Sequence, residues 1–197
     1  MRARRLLDDR PRVLLGLCGA PGAGKSTLAH RVADVLGPVA VVVPMDGFHL
    51  QDEELDRLGL LHRKGAPETF DADGYASLLH RIRETTGRTV YAPSFDRDRE
   101  LSLAGAIPVL PEHRFVVTEG NYLLLDEPGW RDVRAQLDEC WFLRGDDARR
   151  RERLIERHRQ HGRDRDAAVA WVMRTDEPNA VLVDATRHRA DLVVDPG

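Results

Sequence analysis

Residues 19–26 have the sequence Gly-Ala-Pro-Gly-Ala-Gly-Lys-Ser, which fits the pattern Gly-x4-Gly-Lys-Ser/Thr of phosphate-binding loops. A short apolar run at residues 13–18 precedes this loop, and residues 27–36 have apolar side chains at helical spacing. Gly37 and Pro38 then end the helical pattern. Because strand, glycine loop and helix follow in the order that the motif requires, a chance lysine in an ordinary turn explains the pattern less well. The stretch therefore predicts a nucleotide-phosphate site.

Each part of the predicted loop has an expected role. Glycines allow backbone N–H groups to turn towards phosphate oxygens, and the helix N-terminus adds partial positive charge. We expect Lys25 to reach the outer phosphates and the Ser26 hydroxyl to hold Mg²⁺. The residues expected to hold the nucleotide are Gly19, Ala20, Pro21, Gly22, Ala23, Gly24, Lys25, Ser26 and Thr27.

The composition is that of an ordinary soluble globular protein. The chain has 197 residues, 42% hydrophobic and 32% charged, which fits one domain with a substantial core. A net charge of −3 disfavours nucleic acid as a partner, and no apolar run is long enough to span a membrane. Cys18 and Cys140 lie in apolar runs without metal-binding spacing, so we expect buried thiols in a reducing compartment. The charged residues 1–12 lack the apolar core of a secretory signal. We therefore expect a cytoplasmic monomer or homodimer.

Apolar runs alternate with helical patterns along the chain. This alternation predicts an α/β fold: a three-layer P-loop NTPase fold with a central parallel β-sheet flanked by helices, plus an arginine-rich helical lid. We expect a single domain over residues 1–197, with a flap at about 46–100 and a lid at about 146–165. The predicted strands cover residues 13–18, 39–43, 115–119, 140–143 and 191–194, with an extended piece at 90–97 and a small strand at 106–110. The predicted helices cover residues 27–36, 52–61, 73–85, 130–137, 147–160, 167–175 and 180–186, and residues 1–10 form a frayed helix or arm.

Two acidic residues follow predicted strands, where parallel sheets place their sites. Asp46 comes just after the second strand, where a carboxylate can accept the proton of an attacking hydroxyl, although a turn or a helix cap explains it equally well. Glu119 ends the apolar run at 115–119. A nucleotide-bound Mg²⁺ needs a nearby carboxylate, so we predict Glu119 as a metal ligand over the alternative of a surface acid.

An arginine-rich helix is predicted to begin at Asp146 or Asp147. Arg149, Arg153 and Arg157 are four residues apart and so share one face. Such a row can neutralise charge on a transferring phosphoryl group and close the site against water. The alternative is a solvated helix whose glutamates pair with the arginines. We favour a lid because Glu152 and Glu156 cannot neutralise every arginine of the helix.

The order of several motifs resembles one kinase family. After the phosphate loop come PMDGFHL (residues 44–50), RKGAPETFD (63–71), VYAPSFDR (90–97), VVTEGNYLLL (116–125), the arginine helix and TRHRADLVV (186–194). This order resembles the family of uridine kinase, phosphoribulokinase and bacterial pantothenate kinase, and is most similar to bacterial proteins labelled fructose-transport-system kinases or nucleoside-kinase-like. The resemblance covers about residues 13–194. The phosphate loop is shared with many NTPases, whereas Asp46-Gly47-Phe48 and Glu119-Gly120 narrow the likeness to this family.

The resemblance implies roles for individual residues. Asp46 matches the acid that accepts the proton of the acceptor hydroxyl, Glu119 matches the acid near Mg²⁺, and Arg149 and Arg153 lie in the lid. Residues 187–191, with Arg187 and Arg189, match a loop that approaches the adenine. Residues 63–70 and 91–97 match segments that enclose the acceptor. The expected acceptor-binding residues are Asp46, Phe48, His49, Arg63, Lys64, Phe70, Tyr91, Phe95, Asp96, Arg97 and Asn121.

The sequence departs from uridine kinases after Phe95. No histidine follows nearby, although Phe95 itself could stack on a ring, so uridine is disfavoured as the acceptor. Charged residues at 63–100 suit a polyhydroxylated or anionic acceptor, unless they pair with each other. His49 and His62 lie near the expected pocket, where a structural role is the commoner one. Trp141 and Trp171 are predicted to lie in the core. The resemblance implies that Asp176-Glu177-Pro178-Asn179-Ala180 is characteristic of the most similar subfamily, but it gives Asn179 no chemical role.

These patterns together predict an ATP- and Mg²⁺-dependent kinase that phosphorylates a hydroxyl of a sugar, a nucleoside or a pantothenate-like alcohol. Lys25, Asp46, Arg149 and Arg153 are the expected catalytic residues, and Ser26 and Glu119 are the expected metal ligands. A regulatory GTPase is disfavoured because the guanine-reading motif Asn-Lys-x-Asp is absent. An ATP-binding regulatory or assembly module without an acceptor is the remaining alternative.

Overall fold

The apolar run before the glycine loop forms the middle strand of a parallel sheet. In the computed structural model, which describes residues 2–7 and 10–195, strand β1 (Val13–Cys18) is buried along its whole length. It pairs in parallel with β5 (Phe115–Gly120) on one side and with β6 (Glu139–Leu143) on the other. A strand covered on both faces needs continuous apolar residues. The predicted buried strand is thus confirmed.

Five parallel strands make up the central sheet. Their order is β2-β5-β1-β6-β7, where β2 is Ala40–Pro44 and β7 is Leu192–Val194. All five lie within one residue of their predicted ranges. Because the strands are parallel and β2, β5 and β1 are consecutive, the carboxyl ends of these three strands lie side by side at one edge of the sheet, where ligands of open α/β sheets bind.

Helices cover both faces of this sheet and complete a three-layer α/β fold. The α-helices are α1 (Arg2–Arg5), α2 (Lys25–Leu36), α3 (Asp52–Arg57), α4 (Ala72–Glu84), α5 (Trp130–Ala135), α6 (Asp147–Gln160), α7 (Arg165–Trp171) and α8 (Glu177–Ala185). The helix predicted at 52–61 is shorter than expected, and a separate 3-10 turn, Leu61–Arg63, follows it. Part of the predicted N-terminal arm, namely Met1, Asp8 and Asp9, lies outside the described residues.

Alternate residues of β1 supply the two halves of the core. Leu14 and Cys18 pack in a cluster with the apolar side chains of α4, whereas Leu15 and Leu17 pack on the other face with those of α2. This is the two-residue period of a strand with both faces covered. The core therefore holds the glycine loop rigidly at the end of β1. In the part of the chain that the structure describes, no helix is both long and apolar enough to cross a bilayer.

A separate antiparallel hairpin lies beside the sheet. It consists of β3 (Val90–Asp96) and β4 (Leu101–Val109) and has an irregularity in register between Ala92 and Ser94. The small strand predicted at 106–110 is therefore too short at its start, because residues 101–103 also pair across the hairpin, beyond the irregularity in register. The hairpin packs closely on the turn after β2: a Cβ atom at Gly47 would lie 2.6 Å from the carbonyl oxygen of Pro93.

The arginine helix α6 begins as the sequence predicts. Asp146 caps it by accepting a hydrogen bond from the backbone N–H of Arg149 at 2.8 Å. The segment predicted to be helical at 167–175 is helical throughout, although it is not one α-helix. Helix α7 ends at Trp171, and a π-helical turn, Val172–Asp176, joins it to α8. Such turns are rare and are frequent at functional sites.

Candidate active site

The phosphate loop connects β1 to α2 at the carboxyl edge of the sheet. Gly22 and Gly24 adopt positive φ angles of 76° and 95°, which side chains rarely tolerate. Gly24 is the N-cap of α2, so the free N–H groups of the first helical turn face the cleft beside the loop. The backbone therefore provides the anion cradle that the motif predicts.

Lys25 is held within the loop. Its ammonium group donates to the Oδ1 atom of Asn121 at 2.7 Å and to the carbonyl oxygen of Ala20 at 3.1 Å. Burial lowers the pKa of Lys25, and the nearby Glu119 carboxylate opposes that shift. The lysine charge is thus desolvated and directed into the cleft, where an incoming phosphate group can compensate it.

Ser26 and Glu119 form the predicted metal pair. The Ser26 hydroxyl donates to Oε1 of Glu119 at 2.8 Å, and Glu119 is only 7% exposed at the end of β5. Burial raises the pKa of Glu119, and the charge of Asp46 raises it further. Adjacent ligands of a Mg²⁺ octahedron with bonds of about 2.1 Å lie roughly 3 Å apart. The two oxygens therefore fit one edge of a Mg²⁺ site.

The predicted metal ligands are one hydroxyl and one carboxylate. Within residues 2–7 and 10–195, no three or more His, Cys, Asp or Glu side chains are grouped so that they could hold a metal ion. This donor set suits Mg²⁺, which keeps several waters and takes further oxygens from substrate phosphates.

Asp46 lies on a 3-10 turn, Met45–Phe48, directly after β2. Arg97 of the hairpin donates to its Oδ2 atom at 2.6 Å. The close contact of Gly47 with Pro93 brings the hairpin near enough for this ion pair. Asp46 therefore lines the same cleft as Lys25, Ser26 and Glu119, and Arg97 orients its carboxylate.

The lid contributes arginines from successive turns of α6. Arg153 and Arg157 line the cleft, and a guanidinium nitrogen of Arg153 lies 3.5 Å from where a Cβ atom at Gly24 would be. In the described part of the chain neither forms an ion pair within 4 Å with a carboxylate. Burial lowers the pKa of Arg157, and the charge of Arg97 lowers it further. Two guanidinium groups therefore face the space above the phosphate loop.

Arg150 fixes how the lid lies. It is only 2% exposed, and it donates to Glu177 at 2.5 Å and to the carbonyl oxygen of Pro21 at 3.4 Å. A Cβ atom at Gly22 would lie 2.9 Å from the Arg150 carbonyl oxygen, so the helix rests directly on the loop. With Arg150 turned inward, Arg149 is exposed and lies outside the cleft.

Aromatic and charged side chains form the wall opposite the lid. The ring of His49 lies between Phe70 and Phe95, at centroid distances of 4.0 and 4.7 Å. Lys64 joins α3 to the hairpin turn, because its ammonium group contacts Asp52 at 2.7 Å and Glu100 at 2.9 Å. The cleft between this wall and the lid has a volume of about 1090 Å³. That exceeds the range of about 300–1,000 Å³ for single-ligand pockets, so two substrates can fit.

Many of the predicted site residues line this one cleft. They are Pro21, Gly22, Gly24, Lys25, Ser26, Thr27, Asp46, His49, Lys64, Phe70, Phe95, Arg97, Glu119, Asn121 and Arg153. His62, which the sequence also singles out, lines it as well.

Other predicted residues lie elsewhere and have other contacts. Phe48 packs against Tyr75, Tyr91 is exposed, and the Asp96 carboxylate accepts hydrogen bonds from backbone N–H groups within the hairpin turn. Arg63 forms an ion pair with Glu68. The residues that do not line the cleft are Gly19, Ala20, Ala23, Phe48, Arg63, Tyr91, Asp96, Arg149, Arg187 and Arg189.

The adenine loop inferred from the resemblance lies outside the cleft. Arg187 pairs with Asp184 at 3.6 Å, and Arg189 pairs with Asp126 at 3.1 Å. Both guanidinium groups therefore have partners within the chain on the side of α8 and the loop after β5.

Several cleft residues were not predicted as site residues. Trp171, predicted to be core, is half-buried and lines the cleft, with the Arg163 guanidinium 4.0 Å from its ring centroid. Trp141, by contrast, is in the core as predicted. His158 and Asp176 also line the cleft. The signal in the sequence was the segment Asp176-Glu177-Pro178-Asn179, to which the resemblance gives no chemical role.

The fold and this cleft define a P-loop kinase. The chain belongs to the phosphoribulokinase/uridine kinase family, whose model matches residues 14–197. It is 36% identical to a candidate uridine kinase of Schizosaccharomyces pombe, over 98% of this chain and 87% of that protein. It is 34% identical to the uncharacterised Escherichia coli K12 protein YggC, over 99% of this chain and 82% of that one. A crystal structure of a candidate fructose transport system kinase from Silicibacter sp. TM1040 has a TM-score of 0.89 and 44% identity, covering 98% of this chain and 96% of that chain.

Membership of this family establishes the class of reaction. The chain is an ATP-dependent kinase that acts on a small molecule. The predicted fold class, family and enzyme class are thereby confirmed.

Proposed function

We propose that the chain transfers the γ-phosphate of Mg²⁺-bound ATP to a hydroxyl of a small molecule, with Asp46 as the general base. One observation carries the proposal. Lys25, Ser26, Glu119 and Asp46 line one continuous cleft, so phosphate-binding groups and a proton acceptor face the same space. A nucleotide-binding module without an acceptor has no need of a carboxylate at the position of Asp46.

The phosphate side is formed by the loop and the lid. The N–H groups of the loop and of the first turn of α2 bind phosphate oxygens, and Lys25 leaves Asn121 to bind the outer phosphates. Arg153 and Arg157 stabilise the negative charge that spreads over the transferring group. We assign the stabilisation of this charge to these two arginines of the lid, and we assign Arg149 no contact with the substrates.

Ser26 and Glu119 would hold a magnesium ion, whose charge would offset that of the nucleotide phosphates. Glu119 must be ionised for this purpose, and Lys25 favours the ionised form by its charge. The pair therefore links metal binding to nucleotide binding.

Asp46 and Arg97 act on the acceptor. The Asp46 carboxylate accepts the proton of the attacking hydroxyl as the oxygen approaches the γ-phosphorus in line. Arg97 holds Oδ2 of that carboxylate, and the second carboxylate oxygen remains available to the acceptor. Arg97 is thus a positioning residue for Asp46.

The proposal also includes the organisation of the domain, the class of acceptor, the location and the oligomeric state. Residues 46–100 form the acceptor flap and residues 146–165 the lid of a single kinase domain. The acceptor is a sugar, a nucleoside or a pantothenate-like alcohol. Cys18 and Cys140 are buried free thiols, which supports a reducing, cytoplasmic location. We propose a monomer or a homodimer.

Acceptor-dependent release of ADP tests the proposal. The full-length protein is mixed with MgATP and with panels of sugars, nucleosides and pantothenate, and ADP is measured by a coupled assay. We expect at least one acceptor to raise the rate well above that in water, and EDTA to abolish the increase. ADP release that no acceptor changes would instead indicate a nucleotide-hydrolysing module.

A further inference from the structure

The segment Asp176-Glu177-Pro178-Asn179 lies where the π-helical turn meets α8. Its members point in different directions. Glu177 turns away from the cleft towards Arg150 and Arg151, at 2.5 and 2.8 Å, whereas Asp176 lines the cleft. The π-helical turn inserts an extra residue into the helical repeat and so rotates Asp176 towards the cleft. A carboxylate only 8% exposed beside a substrate cleft is expensive to bury without a ligand or a partner.

The partners of Asp176 and Asn179 fix both side chains. Oδ2 of Asp176 contacts Nε2 of His158 at 3.0 Å, and the Asn179 amide donates to the Gly65 carbonyl oxygen at 3.2 Å. These contacts leave Oδ1 of each side chain with no hydrogen-bond partner among residues 2–7 and 10–195. Asp176 and Asn179 therefore present acceptor atoms in rigid positions on the wall of the cleft formed by α8.

Arg157 lines the same cleft as Asp46 and Asp176. Burial lowers the pKa of Arg157, whereas the charges of Asp176 and Asp46 both oppose the shift. The carboxylates of Asp46 and Asp176 thus share one cleft with the Arg157 guanidinium group. Because Arg97 and Arg157 compensate the charge of these carboxylates, the cleft favours a neutral ligand with hydroxyl donors for each carboxylate over an ammonium-bearing ligand.

The aromatic rings of the cleft already have partners. Phe70 is 7% exposed and stacks on His49, and Phe95 contacts His49 and the Lys64 ammonium group, the latter at 5.7 Å from the ring centroid. The Trp171 ring has the guanidinium groups of Arg163 and Arg174 at 4.0 and 5.2 Å. A nucleobase would therefore compete with side chains of the chain itself for every one of these rings.

We infer that the acceptor is a compact polyhydroxylated molecule without an aromatic ring, bound by Asp46 at the reacting hydroxyl and by Asp176 at a second hydroxyl. The inference rests on the proposed kinase function and narrows its acceptor. Asp176 is then a specificity-determining residue, and His158 positions its carboxylate. In the reaction the acceptor O–H bond breaks, its proton passes to Asp46, an O–P bond forms, and ADP leaves with the electron pair of the cleaved P–O bond.

The first test compares acceptor classes at saturating MgATP. Aldoses, ketoses and sugar alcohols form one panel, nucleosides a second, and pantothenate a third. We expect kcat/KM for the best polyol to exceed that for any nucleoside or for pantothenate at least tenfold. Preference for a nucleoside or pantothenate would overturn this inference and leave the kinase proposal intact. No acceptor-dependent turnover in any panel would overturn both.

The second test uses Asp176→Asn with the best polyol and with its monodeoxy analogues. Loss of a hydrogen bond to a charged group should raise the acceptor KM about tenfold or more, with the KM for ATP within twofold of wild type. One deoxy analogue should be a poorer substrate than the parent polyol for the wild type but not for Asp176→Asn. Asp184→Asn, on the exposed side of α8, is the matched control and should behave as wild type.

The deoxy comparison separates contact from scaffold. A merely structural Asp176 would leave the deoxy penalty equal in both proteins, and that result would overturn the assignment. Should the variant fold poorly, the wild-type protein still tests the contact with a second hydroxyl. If only the reacting hydroxyl is bound, each analogue that keeps this hydroxyl will match the parent polyol, and that result would overturn the inference.

Discussion

Arg97, at the end of the hairpin strand β3, donates to the Oδ2 atom of Asp46 at 2.6 Å, so a flap residue orients the strand-end acid. This ion pair is half-exposed and contributes little to stability by itself. Its main effect is to fix the position of the Asp46 carboxylate relative to the hairpin. Asp46 stands on a turn at the end of β2, and the hairpin that carries Arg97 also carries Phe95 of the acceptor wall. Movement of the hairpin would therefore change the acceptor pocket and the general base together.

Replacing Asp46 by Asn should separate catalysis from nucleotide binding. The amide keeps the shape but cannot accept a proton, so kcat should fall about 10²–10⁴-fold. ATP affinity, measured by calorimetry, should stay within about twofold because the phosphate contacts come from the loop. Asp34→Asn, on the exposed side of α2, is the control and should leave both quantities unchanged. An equal loss of ATP affinity and kcat would make Asp46 a nucleotide-binding residue instead.

The lid arginines should differ sharply despite their equal spacing. Arg153→Gln and Arg157→Gln each remove a guanidinium group that faces the cleft, and each should lower kcat about 10²–10³-fold, as loss of one transition-state donor does. Arg149→Gln, one turn earlier on an exposed surface, should stay within about twofold of wild type. Steady-state kinetics at saturating substrates make the comparison. A larger effect at Arg149 than at Arg157 would mean that the helix turns differently during the reaction.

The two faces of this helix show why the sequence predicts the lid but not its active residues. Spacing alone places Arg149, Arg153 and Arg157 in one row. Which end of the row reaches the phosphates depends on how α6 packs, and that is set by Arg150, buried against Glu177 and Pro21. The packing depends on the absence of a side chain at Gly22, more than a hundred residues away in the chain. The sequence around Arg150 alone does not predict this tertiary contact.

Other features also divide into those that local sequence predicts and those that tertiary packing determines. The phosphate loop, the strand-end acids and all five sheet strands could be predicted because apolar runs and strand ends are local signals. Trp171 was misassigned to the core because its neighbours are apolar, and the π-helical turn that follows it could not be foreseen from spacing. Tyr91 and Phe95 lie on one strand at even spacing, yet only Phe95 lines the cleft. The irregular register between Ala92 and Ser94 lies between them.

Glycine at position 47 should be required for space rather than for backbone conformation. A Cβ atom there would lie 2.6 Å from the Pro93 carbonyl oxygen, so Gly47→Ala should push the hairpin away and destabilise the fold by about 1–3 kcal/mol. The acceptor KM should rise as well, because Arg97 and Phe95 move with the hairpin. Gly87→Ala is the control: nothing lies within 4 Å of its Cβ position, and its stability should be unchanged or slightly higher. Urea unfolding and acceptor titration measure the two effects, and equal stability of the two variants would contradict the close packing.

Glu119 should make the stability of the nucleotide-free protein depend on pH. Burial, and then the charge of Asp46, raise its pKa above the ordinary value of 4.5. A raised pKa means that the folded protein binds the Glu119 proton more tightly than the unfolded protein does. The resulting contribution to folding stability is complete below the pKa of the unfolded state and is lost as pH rises through the pKa of the folded state. Glu119→Gln should therefore become more stable relative to wild type as pH increases above about 4.5. Denaturant unfolding at several pH values without nucleotide measures the difference.

The control for this pH effect is Glu53→Gln, an exposed residue of α3 that should show no such trend. The same Glu119→Gln variant should need more Mg²⁺ for half-maximal activity, because a neutral amide is a weaker ligand for a hard cation. The opposite trend, in which wild type gains stability over Glu119→Gln as pH rises, would contradict the prediction. It would show that the Lys25 charge and the Ser26 hydrogen bond stabilise the ionised carboxylate by more than its burial costs.

Asn121 should compete with ATP for Lys25. Its Oδ1 atom accepts from the Lys25 ammonium group at 2.7 Å, and phosphate binding must replace this contact. Asn121→Ala leaves a buried cation with one partner fewer, so the nucleotide-free protein should lose about 1–3 kcal/mol of stability. Because the nucleotide complex uses phosphate oxygens instead, saturating MgATP should raise the melting temperature more in the variant than in wild type. Differential scanning fluorimetry gives both values, with Lys25→Ala as the control that should show a smaller MgATP shift than either protein. Equal shifts in wild type and Asn121→Ala would mean that the lysine keeps its asparagine contact when the nucleotide is bound.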